Sequence, residues 1–268
     1  MIDGMLAIDA HCHIGDMKGE RHGIRRFTSE DLIARMDRHG IDLAVVCSLI
    51  SPLWEPDDFI QGNDRVIAAV REYPGRLAGL AVVNPKHGEF AQAEARRGLA
   101  AGLRGIKVHP ALHGYYPVDG AVMDPVMQIA AEAEVPLVTH SDFTAKCCSP
   151  YQVARLAARY PRVTIVMLHL GQDADMIAHA PEIVESAPNL MVETSNAPDW
   201  PYAVYVNPVR RLGSHRVLFG SDGPVVSIAA NLAKLAAAEE TYGLTREEKR
   251  QVLGTNAARV FKLAGAKA

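Results

Sequence analysis

Four cysteines in 268 residues, with no CxxC pair among Cys12, Cys47, Cys147 and Cys148, are too few to staple a chain of this length or to build a cysteine-based zinc site. They read as buried, reduced thiols. No window approaches the roughly 18 consecutive apolar residues of a membrane helix. The opening residues Met1-Ile2-Asp3-Gly4-Met5 carry no basic segment followed by an apolar one. The expected location is therefore the cytoplasm, with no membrane partner. No run of five like charges occurs, and 28 Lys and Arg against 31 Asp and Glu leave a formal charge of −3, which disfavours nucleic acid as a partner. A Gly-x-Ser-x-Gly nucleophile elbow is missing too. So is a glycine-rich phosphate loop after the first strand, where the chain reads Ile14-Gly15-Asp16-Met17.

What the chain does have is alternation. Apolar, β-branched runs at residues 6–14, 42–50, 77–84, 103–109, 136–141, 163–170, 190–196 and 217–222 predict eight strands. Helical spacing predicts helices over 30–39, with Ser29 as N-cap, and over 65–73, 89–101, 124–134, 150–160, 174–186, 202–212 and 227–242. The last predicted helix, 245–263, is broken near Gly254. Eight strand–helix units without a linker predict an α/β fold of the (β/α)8 TIM barrel type, one domain over 1–268 with a C-terminal helical segment.

Catalytic groups of such a barrel sit at the C-terminal strand ends. Those ends read Asp9-Ala10-His11-Cys12-His13, Lys107-Val108-His109-Pro110, Thr139-His140-Ser141, Leu168-His169-Leu170-Gly171 and Gly220-Ser221-Asp222-Gly223-Pro224. His11 and His13, two apart on a strand, share a face. Simple alternation then turns Asp9, His11 and His13 inward and Ile8, Ala10, Cys12 and Ile14 toward the helices. Two neutral imidazoles suit a divalent cation, and His140 and Asp222 complete a His₃Asp set. His169 falls near the metal-bound water without needing to be a ligand, either supporting the site from behind the ligands or polarising substrate, and Asp222 has a free oxygen for proton transfer. Lys107 and His109 also share a face, as a substrate-contacting pair. Asp9 reads either as a partner that orients a ligand imidazole or as polar filler. His113, Tyr115, Tyr116, Trp54 and Trp200 fall in loops that could wall a pocket, whereas His22, His39, His87, His179 and His215 read as structural histidines.

These motifs, with the terminal Asn256-Ala257-Ala258-Arg259-Val260-Phe261, resemble the amidohydrolase superfamily, specifically its amidohydrolase-related branch of metal-dependent hydrolases and decarboxylases. The resemblance implies a barrel with one divalent metal on His11, His13, His140 and Asp222 and a catalytic role for His169. Nitrogen-rich donors make Zn²⁺ the expected ion, with Mn²⁺ or another transition metal as alternative. Some members bridge two metals with a carboxylated strand-four lysine. Lys107 stands at that place, but its Gly-Ile-Lys-Val-His-Pro setting resembles the mononuclear branch. The chain departs from many members in reading His169-Leu170-Gly171 where they carry two glycines after the histidine. The expected activity is metal-dependent hydrolysis of a small lactone, amide or ester, with or without a carboxylate, because the predicted loops are short. The alternative is decarboxylation, resembling aminocarboxymuconate semialdehyde decarboxylase. The apolar segment 198–202 is a candidate homodimer contact.

Overall fold

The computed structural model describes residues 1–16, 26–48 and 55–263. Eight strands run in chain order: β1 (Ile8–Asp16), β2 (Leu43–Ser48), β3 (Leu77–Gly79, resuming as Ala81–Val82), β4 (Ile106–Val108), β5 (Leu137–Thr139), β6 (Ile165–Met167), β7 (Leu190–Glu193) and β8 (Val217–Leu218). Each pairs in parallel with the next, as in Ile8 with Leu43, Ala44 with Leu77, Ala81 with Ile106, Lys107 with Val138 and Val138 with Val166. Val166 faces Met191, and Val192 faces Val217. The barrel closes where Ala10 N–H donates to Phe219 O at 2.9 Å and His13 N–H donates to Gly223 O at 2.7 Å. A two-residue strand, Arg26–Phe27, pairs antiparallel with the end of β1.

Helices fill the crossovers: α1 (Ser29–His39), α2 (Pro56–Glu72), α3 (Glu89–Ala100), α4 (Asp124–Glu132), α5 (Pro150–Arg159), α6 (Ala180–Val184), α7 (Asn207–Leu212) and α8 (Ile228–Tyr242), then α9 (Arg246–Arg250) and α10 (Asn256–Val260). None is long and apolar enough to cross a membrane. The N-cap of α1 is Thr28 rather than Ser29, since Thr28 and Asp31 form a reciprocal capping box. The second helix begins nine residues before the expected position 65, with Pro56 in its first turn, where a missing N–H costs nothing. The predicted helix 174–186 shrinks to α6. The break in the last helix is a wide turn, Gln251–Thr255, at which a Cβ on Gly254 would fall 2.2 Å from Leu6 O. That glycine lets the terminal segment lie against the strand leading into β1.

Two apolar layers hold the structure. Ile8, Ala10, Val45, Leu80, Val138, Val166, Met191 and Leu218 pack together inside the barrel, joined by Val260 and Phe261 from the C-terminal segment. Ala7, Cys12, Ile14, Val46, Ile106 and Ile165 instead pack with helix residues such as Leu32, Ala95 and Leu156. Each buried Val, Leu or Ile contributes about 1.5–3 kcal/mol. This layering corrects the alternation expected for β1. From Asp9 to Cys12 the pairing advances three positions along β1 but only two along β2, from Ala44 to Val46, so a one-residue bulge lies between them. Before it Ile8 and Ala10 face the interior; after it Cys12 and Ile14 face the helices and His11 and His13 turn inward.

Candidate functional site

His11 Nε2 lies 3.3 Å and His13 Nε2 3.1 Å from the same oxygen, Asp222 Oδ1. The two imidazole rings stand edge to face at 4.6 Å, and the His11 ring is 5.4 Å from that of His169. The donor atoms of His11, His169 and Asp222 lie within 4.8 Å of one another, and those of His11, His13 and Cys47 form a second such group. His140 lies just outside, its ring 5.0 Å from His169 and stacked at 4.0 Å on His109. All five of the barrel-mouth residues expected to act on metal or water are thus together and buried. His169 rather than His140 joins the tightest donor group.

Local backbone explains how two of them reach the mouth. Asp222 and His169 both adopt left-handed conformations, with φ of 57° and 66°, uncommon for residues with a Cβ and costing about 1–2 kcal/mol each. Leu170 follows at φ 50°. Position 170 therefore takes a conformation that suits glycine, and a leucine holds it by burying its side chain completely.

Electrostatics separates the imidazoles. Burial, aided by the Lys107 charge, pushes His11 well below its usual range; burial with neighbouring imidazoles and Lys107 does the same for His109 and His140. Burial takes His169 to about 4 despite the opposing pull of Asp222, and takes His113 to about 3. His13 is the exception: burial lowers it, but Cys47 and the hydrogen bond with Asp222 outweigh that and raise it to about 10. Asp222 is held well below the carboxylate range because hydrogen bonds from His11 and His13 overcome its burial.

Lys107 is 1% exposed, and no hydrogen bond or ion pair holds its ammonium among the described residues. Burial lowers its pKa, while Cys47, Asp222 and Glu193 oppose this.

Three features were not anticipated. Cys47, expected to be an inert thiol, has Sγ 3.3 Å from His13 Nδ1, which also meets Ser48 O at 3.2 Å. Glu193 and Ser195 end β7 fully buried against His169. They are polar residues at a strand end, the same signal that exposed the histidines. Asp9 has a different job from either expected one: Oδ1 accepts from His11 N at 3.2 Å and Ser221 N at 2.9 Å, and Oδ2 accepts from Ser221 Oγ at 2.5 Å. It ties β1 to the loop after β8 and touches no imidazole nitrogen through these bonds.

Of the expected pocket walls, His113 is buried 5.9 Å from the His109 ring, and Tyr116 is buried. Tyr115 is exposed, its hydroxyl accepting from Lys146 N at 3.1 Å, and Trp200 is exposed beside Tyr202. Trp54 and His22 lie outside the described residues. Cys147 and Cys148 are buried free thiols, as expected.

The residues fit a divalent cation. His11 Nδ1 is buried with no hydrogen-bond partner, and two imidazole nitrogens crowd one carboxylate oxygen, a donor set that a cation would satisfy.

A family model described as amidohydrolase matches residues 8–263. No curated protein matches the chain. Among solved structures, the chain is similar to 5-carboxyvanillate decarboxylase from Novosphingobium aromaticivorans, in complex with manganese and 4-hydroxy-3-methoxy-5-nitrobenzoic acid. The identity is 19% over 97% of this chain and 96% of that one, with a TM-score of 0.77. It is also similar to 2,6-dihydroxybenzoate decarboxylase from Rhizobium, at 16% identity, 98% and 100% coverage and a TM-score of 0.77. A probable 2-pyrone-4,6-dicarboxylic acid hydrolase from Acinetobacter baumannii matches at 16% identity, 96% and 100% coverage and a TM-score of 0.72.

Proposed function

The chain belongs to the amidohydrolase family, and on that footing we propose that it is a metal-dependent decarboxylase of a small aromatic carboxylic acid. The observation that carries this reading is Lys107, a buried ammonium whose charge is felt by His11, His109, His140 and His169 and which no hydrogen bond or ion pair holds among the described residues. Leaving a charge so placed is costly unless a ligand supplies the opposite one. A substrate carboxylate does so. The same cation would also serve a carboxylated lactone, but two decarboxylases of aromatic acids share this fold over nearly the whole chain, which reverses the expected order of lyase and hydrolase. Hydrolysis of a carboxylated lactone is the second reading, supported by the similarity to the pyrone hydrolase.

His11, His13 and Asp222 would hold one divalent cation, with His140 as the expected fourth donor and His169 beside it. When bound, the cation orients substrate oxygens and stabilises negative charge developing on them. Lys107 and His109 receive the substrate carboxylate. His169, kept neutral by burial, offers a hydrogen-bonding nitrogen to the substrate's oxygen substituents. Asp222, ionised at rest, uses Oδ1 on the imidazoles, leaving Oδ2 to take a proton from a substrate hydroxyl and carry it. That proton goes to the ring carbon, the carbon–carboxylate bond breaks, its electron pair returns to the ring, and CO2 leaves.

Manganese is the first ion to supply, since a similar structure holds it, ahead of the zinc expected from the donors. The test is incubation of metal-loaded protein with hydroxybenzoates and carboxylated pyrones in oxygen-18 water. Release of CO2 with no solvent oxygen in the product supports the lyase. Oxygen-18 in the product supports the hydrolase instead.

A further inference from the structure

Glu193 contributes no atom to the donor clusters, yet its carboxyl group is fully buried and every hydrogen bond it accepts leads to His169. A buried carboxylate is tolerated when its lone pairs are used. Oε1 accepts from Ser195 N at 2.7 Å, and Oε2 accepts from Ser195 Oγ at 2.8 Å and from His169 N at 3.3 Å. One carboxylate therefore holds the left-handed backbone of His169 directly and the hydroxyl beside its ring. With its proton directed to Glu193, the Ser195 hydroxyl meets His169 Nδ1 as an acceptor, at 3.0 Å, and Ser195 O is a second acceptor at 3.1 Å. The carbonyl can only accept, which requires Nδ1 to be the protonated nitrogen, so Nε2 keeps its lone pair. Glu193 is itself confined: a Cβ on Gly220 would overlap its carboxyl group.

We propose that Glu193, acting through Ser195, is a positioning residue that fixes His169 as the Nδ1–H tautomer and leaves Nε2 free for the site. The inference rests on the proposed function in giving His169 a task there. The hydrogen-bond chain can be measured without it.

The experiment records two-bond 1H–15N correlation spectra of ¹⁵N-histidine-labelled, metal-free protein, with His169→Asn identifying the signal. The expected wild-type pattern is a protonated Nδ1 and an unprotonated Nε2. Glu193→Gln cannot accept from all three donors, because one end of its amide is itself a donor. It should leave the other imidazole signals in place while His169 shifts and mixes tautomers. Should that variant fail to fold, Ser195→Ala takes its place. It removes one of two acceptors, and the His169 Nδ1–H resonance should move upfield. A wild-type His169 protonated on Nε2, or a His169 signal unchanged in the variant measured, overturns the proposal. Once a substrate is in hand, Glu193→Gln should lower kcat about 10–100-fold with KM within about twofold, the size expected for a residue that orients a site imidazole. If no substrate is ever turned over, the spectra still decide the positioning role, so its failure and that of the proposed function are separable.

Discussion

Glu193 and Gly220 face each other so closely at the ends of β7 and β8 that a Cβ on Gly220 would fall 2.0 Å from Glu193 Oε1. Only glycine fits there unless the carboxylate moves away from Ser195 and His169. Gly220→Ala should therefore destabilise the protein by about 2 kcal/mol or more, the scale of overpacking in a tight core. Urea unfolding measures it. A change within about 0.5 kcal/mol, the range of an unconstrained site, would show that the carboxylate can relocate freely.

Lys107→Met separates stability from function. Replacing a buried ammonium that is unpaired among the described residues with an apolar side chain of similar length removes a desolvation cost, so the thermal midpoint should hold or rise. Turnover of a carboxylated substrate should fall about 100-fold or more, as expected when a charged contact worth about 3 kcal/mol is lost. A variant as active as the parent would remove Lys107 from substrate binding.

Metal-free protein should be labile to acid. His169 titrates near 4 in the fold against 6.5 when exposed. Above 6.5 neither state holds the proton, and below it the unfolded chain binds first, so stability falls with pH until the folded imidazole titrates. That shift alone corresponds to about 3 kcal/mol. His11, His109 and His140 act in the same direction. His13, raised to about 10, acts oppositely, contributing stability below 6.5 that is lost as pH rises through 10, and burial raises Glu193 to about 8 and Asp9 to about 6, which also oppose the loss but are outweighed by the four lowered imidazoles. Urea unfolding at about pH 7.5 and about pH 5 should show the loss, and equal stability at both would contradict the burial argument.

Leu170→Gly sets backbone strain against packing. Glycine would relieve about 1–2 kcal/mol of left-handed strain. It would also empty a fully buried leucine site, costing about 2–5 kcal/mol. The net expectation is destabilisation by about 1–3 kcal/mol in chemical denaturation. A more stable variant would mean that strain outweighs packing here.

The barrel was legible because its signal is local: eight apolar runs separated by helical spacing, each deciding its own strand or helix. The same local rule found His11, His13, His109, His140, His169 and Asp222, polar groups at the ends of those runs. It failed at Asp9, because a bulge reverses the alternation and no periodicity announces where an extra residue is inserted. It failed at Cys47 because nothing near that residue in the chain shows that its sulfur meets a ring 34 positions away.

By itself, then, the sequence determined the architecture and which titratable side chains gather at one mouth, since hydrophobic periodicity and strand polarity are properties of neighbouring residues. Only the tertiary structure decided which of them touch. The pairing of His13 with Asp222 spans 209 positions, His140 stacks on His109 rather than joining the tightest donor group, and Glu193 reaches His169 through a hydroxyl. These contacts depend on barrel closure and on packing between strands, which bring distant residues to distances that no local spacing encodes.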